Sequence, residues 1–391
     1  MLHNLSTMAG DPLWELISLF NQDNRKEKVN LIVGVYRDET GVTPVMQVVK
    51  DAEHELAKQA KSKCYGELSG NLKFNDQIAS FLLGDSENLN RQCTIQTVGG
   101  TGALRLLAEF VAHLSPNSII WNTDPGYINH KPIMESVGLT VKPFRWQQQA
   151  GELDIQTCLT DLEDAHEGDI VLLHGCCHNP TGIDPTPEQW QQFADVFKAK
   201  GIVPLVDIAY QGFAEAPDKD AAGLRLFVDQ LDLVLVAASC SKNMGLYCER
   251  TGAAMIVTPD SNKLQSIRTL LESITRANYS MPPEHGAAVA NLLFDNPVPW
   301  LNELSVYRNR IKQTRQKLGA ILADLNAAPE LQLISQQNGM FSMLPLTKEQ
   351  MAVLREKYAI YGVTNGRINI AGLKQSQIEP LAEALVGVMN Q

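Results

Sequence analysis

An excess of positive charge is the first thing this chain lacks. Its 391 residues carry a formal net charge of −11, so neither nucleic acid nor an anionic membrane is an expected partner. That balance still allows a local basic pocket for a small anion. Long hydrophobic runs are also missing: no uninterrupted apolar stretch approaches the roughly 20 residues that cross a bilayer. The opening Met-Leu-His-Asn-Leu-Ser-Thr-Met-Ala-Gly-Asp has no basic region followed by an apolar core, and no signal peptide is expected. Seven cysteines make an odd number without a disulfide-scaffold spacing, which suits a reduced, cytoplasmic protein. Internal repeats, low-complexity tracts and blocks of like charge are absent too.

One cluster resembles a metal cassette: His174, Cys176, Cys177 and His178 in His-Gly-Cys-Cys-His. On a strand, residues 174, 176 and 178 share a face. A single strand nevertheless spaces those side chains too widely to wrap a tetrahedral ion, and no second Cys/His group stands ready. No metal site is expected.

What is present is a chain 44% hydrophobic, long enough for two domains or one elaborated domain. Short apolar, β-branched runs alternate with turns and helix-period segments. Cys93–Val98 leads through Gly-Gly-Thr-Gly into a buried helix, and Ser118–Trp121, Asp169–Leu173, Ile202–Val206 and Leu231–Ala237 are further strands. Pro187–Lys200 reads as a helix. Continuous apolar strands alternating with helices predict a mostly parallel sheet covered on both faces, a three-layer α/β domain.

From about Asn296 a long helical pattern places Trp300, Leu304, Tyr307, Ile311, Leu318, Ile321 and Leu325 near helical spacing. Strands at Phe341–Leu344 and Arg367–Ile370 and a final helix follow. Residues 1–42 are assigned to an N-terminal arm and part of a small domain, 43–300 to the large domain, and 301–391 to the small α/β domain.

In parallel α/β sheets, ligands bind beyond the carboxyl ends of the strands. Those ends read Gly-Gly-Thr-Gly (99–102), Asp-Pro-Gly-Tyr (124–127), His-Asn-Pro-Thr-Gly (178–182), Asp-Ile-Ala-Tyr (207–210) and Ser-Cys-Ser-Lys (239–242). Polar strand ends of this kind, converging on one rim, describe a site. A Gly-rich turn entering a helix offers backbone N–H groups and the helix dipole to an anion. The turn lacks the Lys-Ser/Thr of a P-loop and the Gly-x-Gly-x-x-Gly of a dinucleotide site, which disfavours both ligands.

Ser239, Ser241 and Arg250 could donate to the same phosphate. Lys242 between them is either a lysine that closes a strand and faces water, or a partly desolvated amine acting as nucleophile or base, below its free pKa of about 10.4. On this segment alone the two readings stand level. Asp207 shifts the balance, because a carboxylate buried at a strand end needs a partner. Pyridoxal phosphate meets the specification: a lysine to hold it, a phosphate cup and a carboxylate for its ring nitrogen.

Ser-x-Ser-Lys-Asn-x-Gly-Leu-Tyr-x-Glu-Arg-x-Gly (239–252), His-Asn-Pro-Thr-Gly (178–182) and Asp-Ile-Ala-Tyr-Gln-Gly-Phe (207–213) together resemble the class I aminotransferases that act on aspartate and aromatic amino acids. Gly-Gly-Thr-Gly-Ala-Leu-Arg, Asn-Tyr-Ser-x-Pro-Pro (278–283), Gly-Met-Phe-Ser (339–342) and Gly-Arg-Ile-Asn-Ile-Ala-Gly-Leu (366–373) agree in the same order. The likeness runs from about Gly10 to the end of the chain.

It implies a fold type I pyridoxal-phosphate transferase and ping-pong transamination between an L-amino acid, aspartate or aromatic, and 2-oxoglutarate. By that resemblance Lys242 carries the cofactor as an internal aldimine and moves the substrate proton. Asp207 pairs with the ring nitrogen. Asn179 and Tyr210 hydrogen-bond the phenolic oxygen, and Tyr127 stacks on the ring. Gly100, Thr101, Ser239, Ser241 and Arg250 hold the phosphate, with Tyr65 reaching in from a second subunit. Arg367 clamps the substrate α-carboxylate beside Gly34 and Phe341, with Tyr127 and Asn179 also facing substrate. Arg276 of the second subunit meets a side-chain carboxylate. His130 and His174 stand behind the aspartate. The implied assembly is a homodimer.

The chain also departs from that family. Tyr127 stands where the family stacks a Trp, and Tyr-Gly-Glu-Leu-Ser-Gly (65–70) replaces Tyr-Leu-Gly-Ile-Asp-Gly. Met281 replaces Asn or Ser before Pro-Pro, Trp14 occupies an aliphatic arm position, and Ile32 stands where glycine is common although Gly34 is kept. These changes leave open a different donor, or a β-lyase or decarboxylase on the same fold. A non-catalytic regulator would need a partner module for which the N-terminus leaves no room.

Overall fold

The computed structural model describes residues 10, 12–149 and 151–389; the opening residues of the expected arm lie outside the described residues. The chain divides into two compact units, one of residues 44–310 and a smaller one of residues 1–43 with 311–391.

The larger unit is built on a seven-stranded sheet. In chain order its strands are β1 (Gln92–Val98), β2 (Ile119–Asp124), β3 (Thr140–Arg145), β4 (Ile170–His174), β5 (Val203–Ile208), β6 (Val234–Ser239) and β7 (Thr251–Val257). Their spatial order is β1-β7-β6-β5-β4-β2-β3. The pairings from β6 to β3 are parallel, and β7 alone runs antiparallel to both its neighbours.

The expected strands overlap β1, β2, β4, β5 and β6 with ends at most three residues off, and the predicted mostly parallel α/β architecture is the one found. Two strands escaped the sequence reading for physical reasons. β3 is a sheet edge that exposes Thr140, Lys142, Pro143 and Arg145, and edges are blunted by charge and proline rather than marked by apolar runs. β7 follows its first Thr with Gly-Ala-Ala, small residues of weak strand propensity.

Local chemistry sets the helix ends. Helix Pro187–Lys200 starts with a capping box, Thr186 and Gln189 satisfying each other's backbone N–H groups, with Pro187 at its first turn. It stops at Gly201, whose φ of +68° suits glycine. Its buried Phe193 and Phe197 continue into Phe227 and Trp190; each fully buried side chain of this size contributes about 1.5–3 kcal/mol. Helix Gly99–Leu114 packs Leu104, Leu107 and Val111 in one core with Ile95, Leu235, Ala254 and Ile256 of the sheet.

The smaller unit centres on Leu31, Leu318, Leu354, Ile368, Leu381 and Leu385. Its short strand Phe341–Met343 pairs antiparallel with Arg367–Asn369, and Val29–Asn30 pairs parallel with Ile360–Tyr361. The predicted long helix is Pro297–Asp324. Leu325 lies beyond it and is exposed, while Leu322 is the buried residue of that turn.

At Gly252 a Cβ would lie 2.6 Å from the Ala238 carbonyl oxygen and 2.6 Å from the Gly99 carbonyl carbon. Both are backbone atoms, so the strain cannot relax through a side chain. Gly252→Ala should therefore lower stability by about 1–3 kcal/mol, read as a shifted midpoint in urea titration; an unchanged midpoint would show that the Gly99 turn is free to move.

Candidate active site

The carboxyl ends of β1, β2, β4, β5 and β6 deliver polar residues to one edge of the larger unit, as the sheet rule predicts. β7 starts at that same edge because it runs the other way. Thr251 lies opposite Val98 and Gly252 opposite Ser239, so Arg250, one residue before β7, arrives beside the ends of β1 and β6.

There the anion cradle takes shape. Gly99, at φ +67°, turns β1 into helix Gly99–Leu114, whose N-terminus offers free N–H groups. The Arg250 guanidinium packs so close that a Cβ on Gly99 would lie 2.6 Å from its Nη2. Arg250 Nη1 donates to Ser241 Oγ (3.3 Å) and to the Tyr247 carbonyl (3.1 Å), while the Ser241 amide donates to Ser239 Oγ (3.2 Å). Gly100 abuts the Ser239 side chain, and Thr101 is exposed in the first helical turn. A guanidinium, two hydroxyls and a helix N-terminus form a site for a dianion.

Beside the cradle, Asp207 is buried in β5 and faces His174 across the sheet. Its Oδ2 lies 2.8 Å from His130 Nε2. Burial alone would push the Asp207 pKa up, but the His130 hydrogen bond and the cationic neighbours outweigh it and hold the carboxyl below its usual range. His130 and His174 rings stand 5.0 Å apart. Burial, reinforced by His130, drives His174 down to about 3 despite Asp207, so it stays neutral.

The line continues to His178, 4.7 Å from His174, which contacts Thr181 Oγ1 (2.8 Å) and Thr123 Oγ1 (3.1 Å) under a stacked Trp146. The sequence reading missed His178 as a supporting residue. Its signals in the sequence are its place at the head of His-Asn-Pro-Thr-Gly and its sharing a strand face with His174. Cys176 and Cys177 instead lie near Asp220, whose carboxylate already accepts from four backbone amides, those of residues 212, 214, 215 and 216.

Lys242 reaches into this group with its Nζ 4.7 Å from the Tyr210 ring centre. Burial depresses its pKa, with Asp207 opposing and Arg250 adding to the effect. Asn179 Nδ2 donates to Tyr210 Oη at 3.5 Å, a pair able to share one oxygen acceptor. Tyr127 stands edge-on to His130, ring centres 5.2 Å apart. The structure thus gathers Lys242, Asp207, Tyr210, Asn179, Tyr127, His130 and His174 with the phosphate cradle.

Two expected residues of the larger unit stand on its surface instead. Tyr65 is 95% exposed, and exposed Arg276 donates to Ser280 Oγ at 3.1 Å. Both flank the hairpin of Met281, whose sulfur accepts from the Gly66 amide at 3.1 Å. A crevice of about 990 Å³ opens there, lined by Tyr65, Leu72, Met281 and Pro282 among others.

The remaining expected residues belong to the smaller unit. Buried Arg367 donates from Nη2 to the Ile32 carbonyl (2.7 Å), and its guanidinium carbon lies 4.8 Å from the Phe341 ring centre. That ring crosses Gly34 so closely that a Cβ there would meet Phe341 Cζ at 2.4 Å. Gly34 is required by this packing. Ile32 is buried, and Trp14 is 69% exposed.

Comparison with known proteins agrees with this geometry. The family model described as aminotransferase class I and II matches residues 26–385. The chain is 43% identical to the aspartate aminotransferase of Haemophilus influenzae over the whole of both chains. It is 38% identical to the aromatic-amino-acid aminotransferase of Paracoccus denitrificans, covering 99% of this chain and all of that one. Among solved structures, the aromatic-amino-acid aminotransferase from Burkholderia pseudomallei, covalently bound to pyridoxal phosphate, superposes with a TM-score of 0.96 at 36% identity, covering 99% of each chain.

Lys242 holds its proton less tightly folded than unfolded. Between its depressed pKa and the ordinary lysine value of 10.5, the unfolded chain binds more protons, so this group makes stability rise with pH. In cofactor-free protein, the stability of wild type minus that of Lys242→Met should therefore increase from about pH 7 toward about pH 10. A difference that stays flat across this range would place the amine in an ordinary, solvated setting.

Proposed function

This chain belongs to the class I and II aminotransferase family, and we propose that it exchanges amino groups between a dicarboxylic or aromatic L-amino acid and 2-oxoglutarate. Its cofactor is pyridoxal 5′-phosphate, and the residues present fit that group. Arg250, Ser239, Ser241, Gly100 and Thr101 suit the phosphate dianion. Asp207, kept ionised against His130, suits a protonated ring nitrogen. The Asn179–Tyr210 pair suits the phenolic oxygen. The observation that carries the reading is the depressed lysine, Lys242, set between an ionised buried carboxylate and an arginine-lined cradle.

When bound, pyridoxal phosphate supplies an aldehyde for the amino group and a conjugated ring that spreads the charge left at the substrate Cα. The chain supplies position and protons. Lys242 Nζ would hold the cofactor, and its amine, with a depressed pKa, would carry the substrate Cα proton. His130 and neutral His174 keep the Asp207 carboxylate aimed and unprotonated. Arg367 takes the substrate α-carboxylate through a planar two-point contact.

Tyr65 and Arg276 are proposed to serve the site of a second copy in a homodimer, Tyr65 toward the phosphate and Arg276 toward a side-chain carboxylate. Their exposure, and the crevice that Tyr65 lines, support that reading. Tyr127 in place of a larger ring leaves room for aromatic donors. No described helix is long and apolar enough to cross a membrane. Seven free cysteines suit a cytoplasmic, reducing setting.

Lys242→Ala should lose the cofactor band that borohydride fixes to the chain. A band that the reductant still fixes covalently would remove Lys242 from its role. Arg276→Ala should cost dicarboxylic donors about 2–5 kcal/mol more than aromatic donors in kcat/KM, the cost of a desolvated charge left unpaired. A panel of aspartate, tyrosine and phenylalanine with 2-oxoglutarate reads this directly, and equal losses across the panel would exclude Arg276 from the side-chain pocket.

A further inference from the structure

Arg315 lies on helix Pro297–Asp324 and is 1% exposed. Its guanidinium reaches into the loop that precedes strand Phe341–Met343. Nε and Nη2 both donate to the Gly339 carbonyl, at 3.1 and 2.8 Å. Nη1 donates to the Ile334 carbonyl (3.2 Å) and to Ser342 Oγ (2.8 Å). Nη2 also reaches the Asn338 carbonyl (3.2 Å) and the Phe341 carbonyl (2.5 Å). All six bonds go to neutral oxygens of one segment, 334–342.

Burying a guanidinium is costly, and an apolar side chain of similar volume would fill the space without that cost. What an apolar residue cannot do is fix the backbone of an irregular segment. Residues 337–340 belong to no helix or strand, and Gly339 sits at φ +72°. The rigid fork of Arg315 supplies the hydrogen-bond partners that a sheet or helix would otherwise provide.

The segment so fixed ends in Phe341. Its ring is pressed between the Gly34 backbone and the Arg367 guanidinium. The opposite wall is fixed separately, by Asn369 Nδ2 donating to the Val33 (2.7 Å) and Val35 (2.8 Å) carbonyls. Arg367 is held on one side by the Ile32 carbonyl, which accepts from Nη2, and on the other by the Phe341 ring, so the direction of its fork also depends on where Phe341 stands.

We infer that Arg315 is a positioning residue for substrate: by fixing the 334–342 backbone it places the Phe341 ring, and the ring sets the orientation of Arg367. This rests on the reading that Arg367 takes the substrate α-carboxylate. Arg315 acts through Phe341 and touches neither substrate nor cofactor.

The test uses the cofactor-loaded enzyme and 3-phenylpropionate, a non-reacting acid with a single carboxylate, its binding followed through the cofactor's visible absorbance. Arg315→Met and Arg315→Lys should each weaken its binding about ten- to a hundredfold, the penalty for a contact displaced by about an ångström. Affinity for pyridoxal phosphate itself, titrated into cofactor-free protein, should hold at the wild-type value. Lysine keeps the charge but loses the planar fork, so it should not rescue. If Arg315→Met fails to fold, Arg315→Lys and Ser342→Ala, which removes one of the acceptors, carry the measurement.

Wild-type binding of 3-phenylpropionate by the Arg315 variants, alongside a clear loss in Arg367→Lys, would overturn this inference alone. Parallel losses of 3-phenylpropionate and pyridoxal phosphate affinity would also overturn it, by making Arg315 a general packing residue. No loss in Arg367→Lys would remove the carboxylate reading, and the inference with it.

Discussion

Asp207 is a carboxylate sealed at the carboxyl end of a parallel strand, and much of the larger unit's site follows from compensating that charge. A lone buried carboxylate would take up a proton. Here His130 donates to it, His174 stands neutral behind, and Lys242 contributes positive field. The result is a negative charge that persists without bulk water, which is what a cofactor ring nitrogen needs if it is to stay protonated. The same environment depresses Lys242, because burial and Arg250 outweigh the attraction of Asp207. One charge balance thus sets both the ionised carboxylate and the depressed amine on which the proposed function rests.

The single antiparallel strand extends this economy to the phosphate. A parallel strand in the place of β7 would carry the residue before it to the far edge of the sheet. Reversed, it starts at the rim, and Arg250 arrives over the helix N-terminus that Gly99 opens. Gly252 allows the approach because any Cβ there would strike backbone. The smaller unit shows a comparable division of labour. Arg367 lies against the Phe341 ring, while Arg315 and Asn369 fix the backbone on either side of it.

From the residue order alone came the α/β class, five of the seven sheet strands, the long helix and the polar strand ends that the fold brings to one edge of the sheet. These are legible because apolar runs, turn residues and strand-end polar groups are local signals, and because Lys242, Asp207, Arg250 and Arg367 sit in motifs of high specificity. Folding decided what local signals cannot carry. It set the direction of β7, hidden in small residues, and the place of edge strand β3, hidden by its charge. It drew His178 and Trp146 into the histidine line and turned Arg315 onto five residues it never neighbours in sequence, Ile334, Asn338, Gly339, Phe341 and Ser342. It also left Tyr65 and Arg276 on the surface. Strand direction and contacts across a sheet are set by long-range packing, and that information resides in no single stretch of the chain.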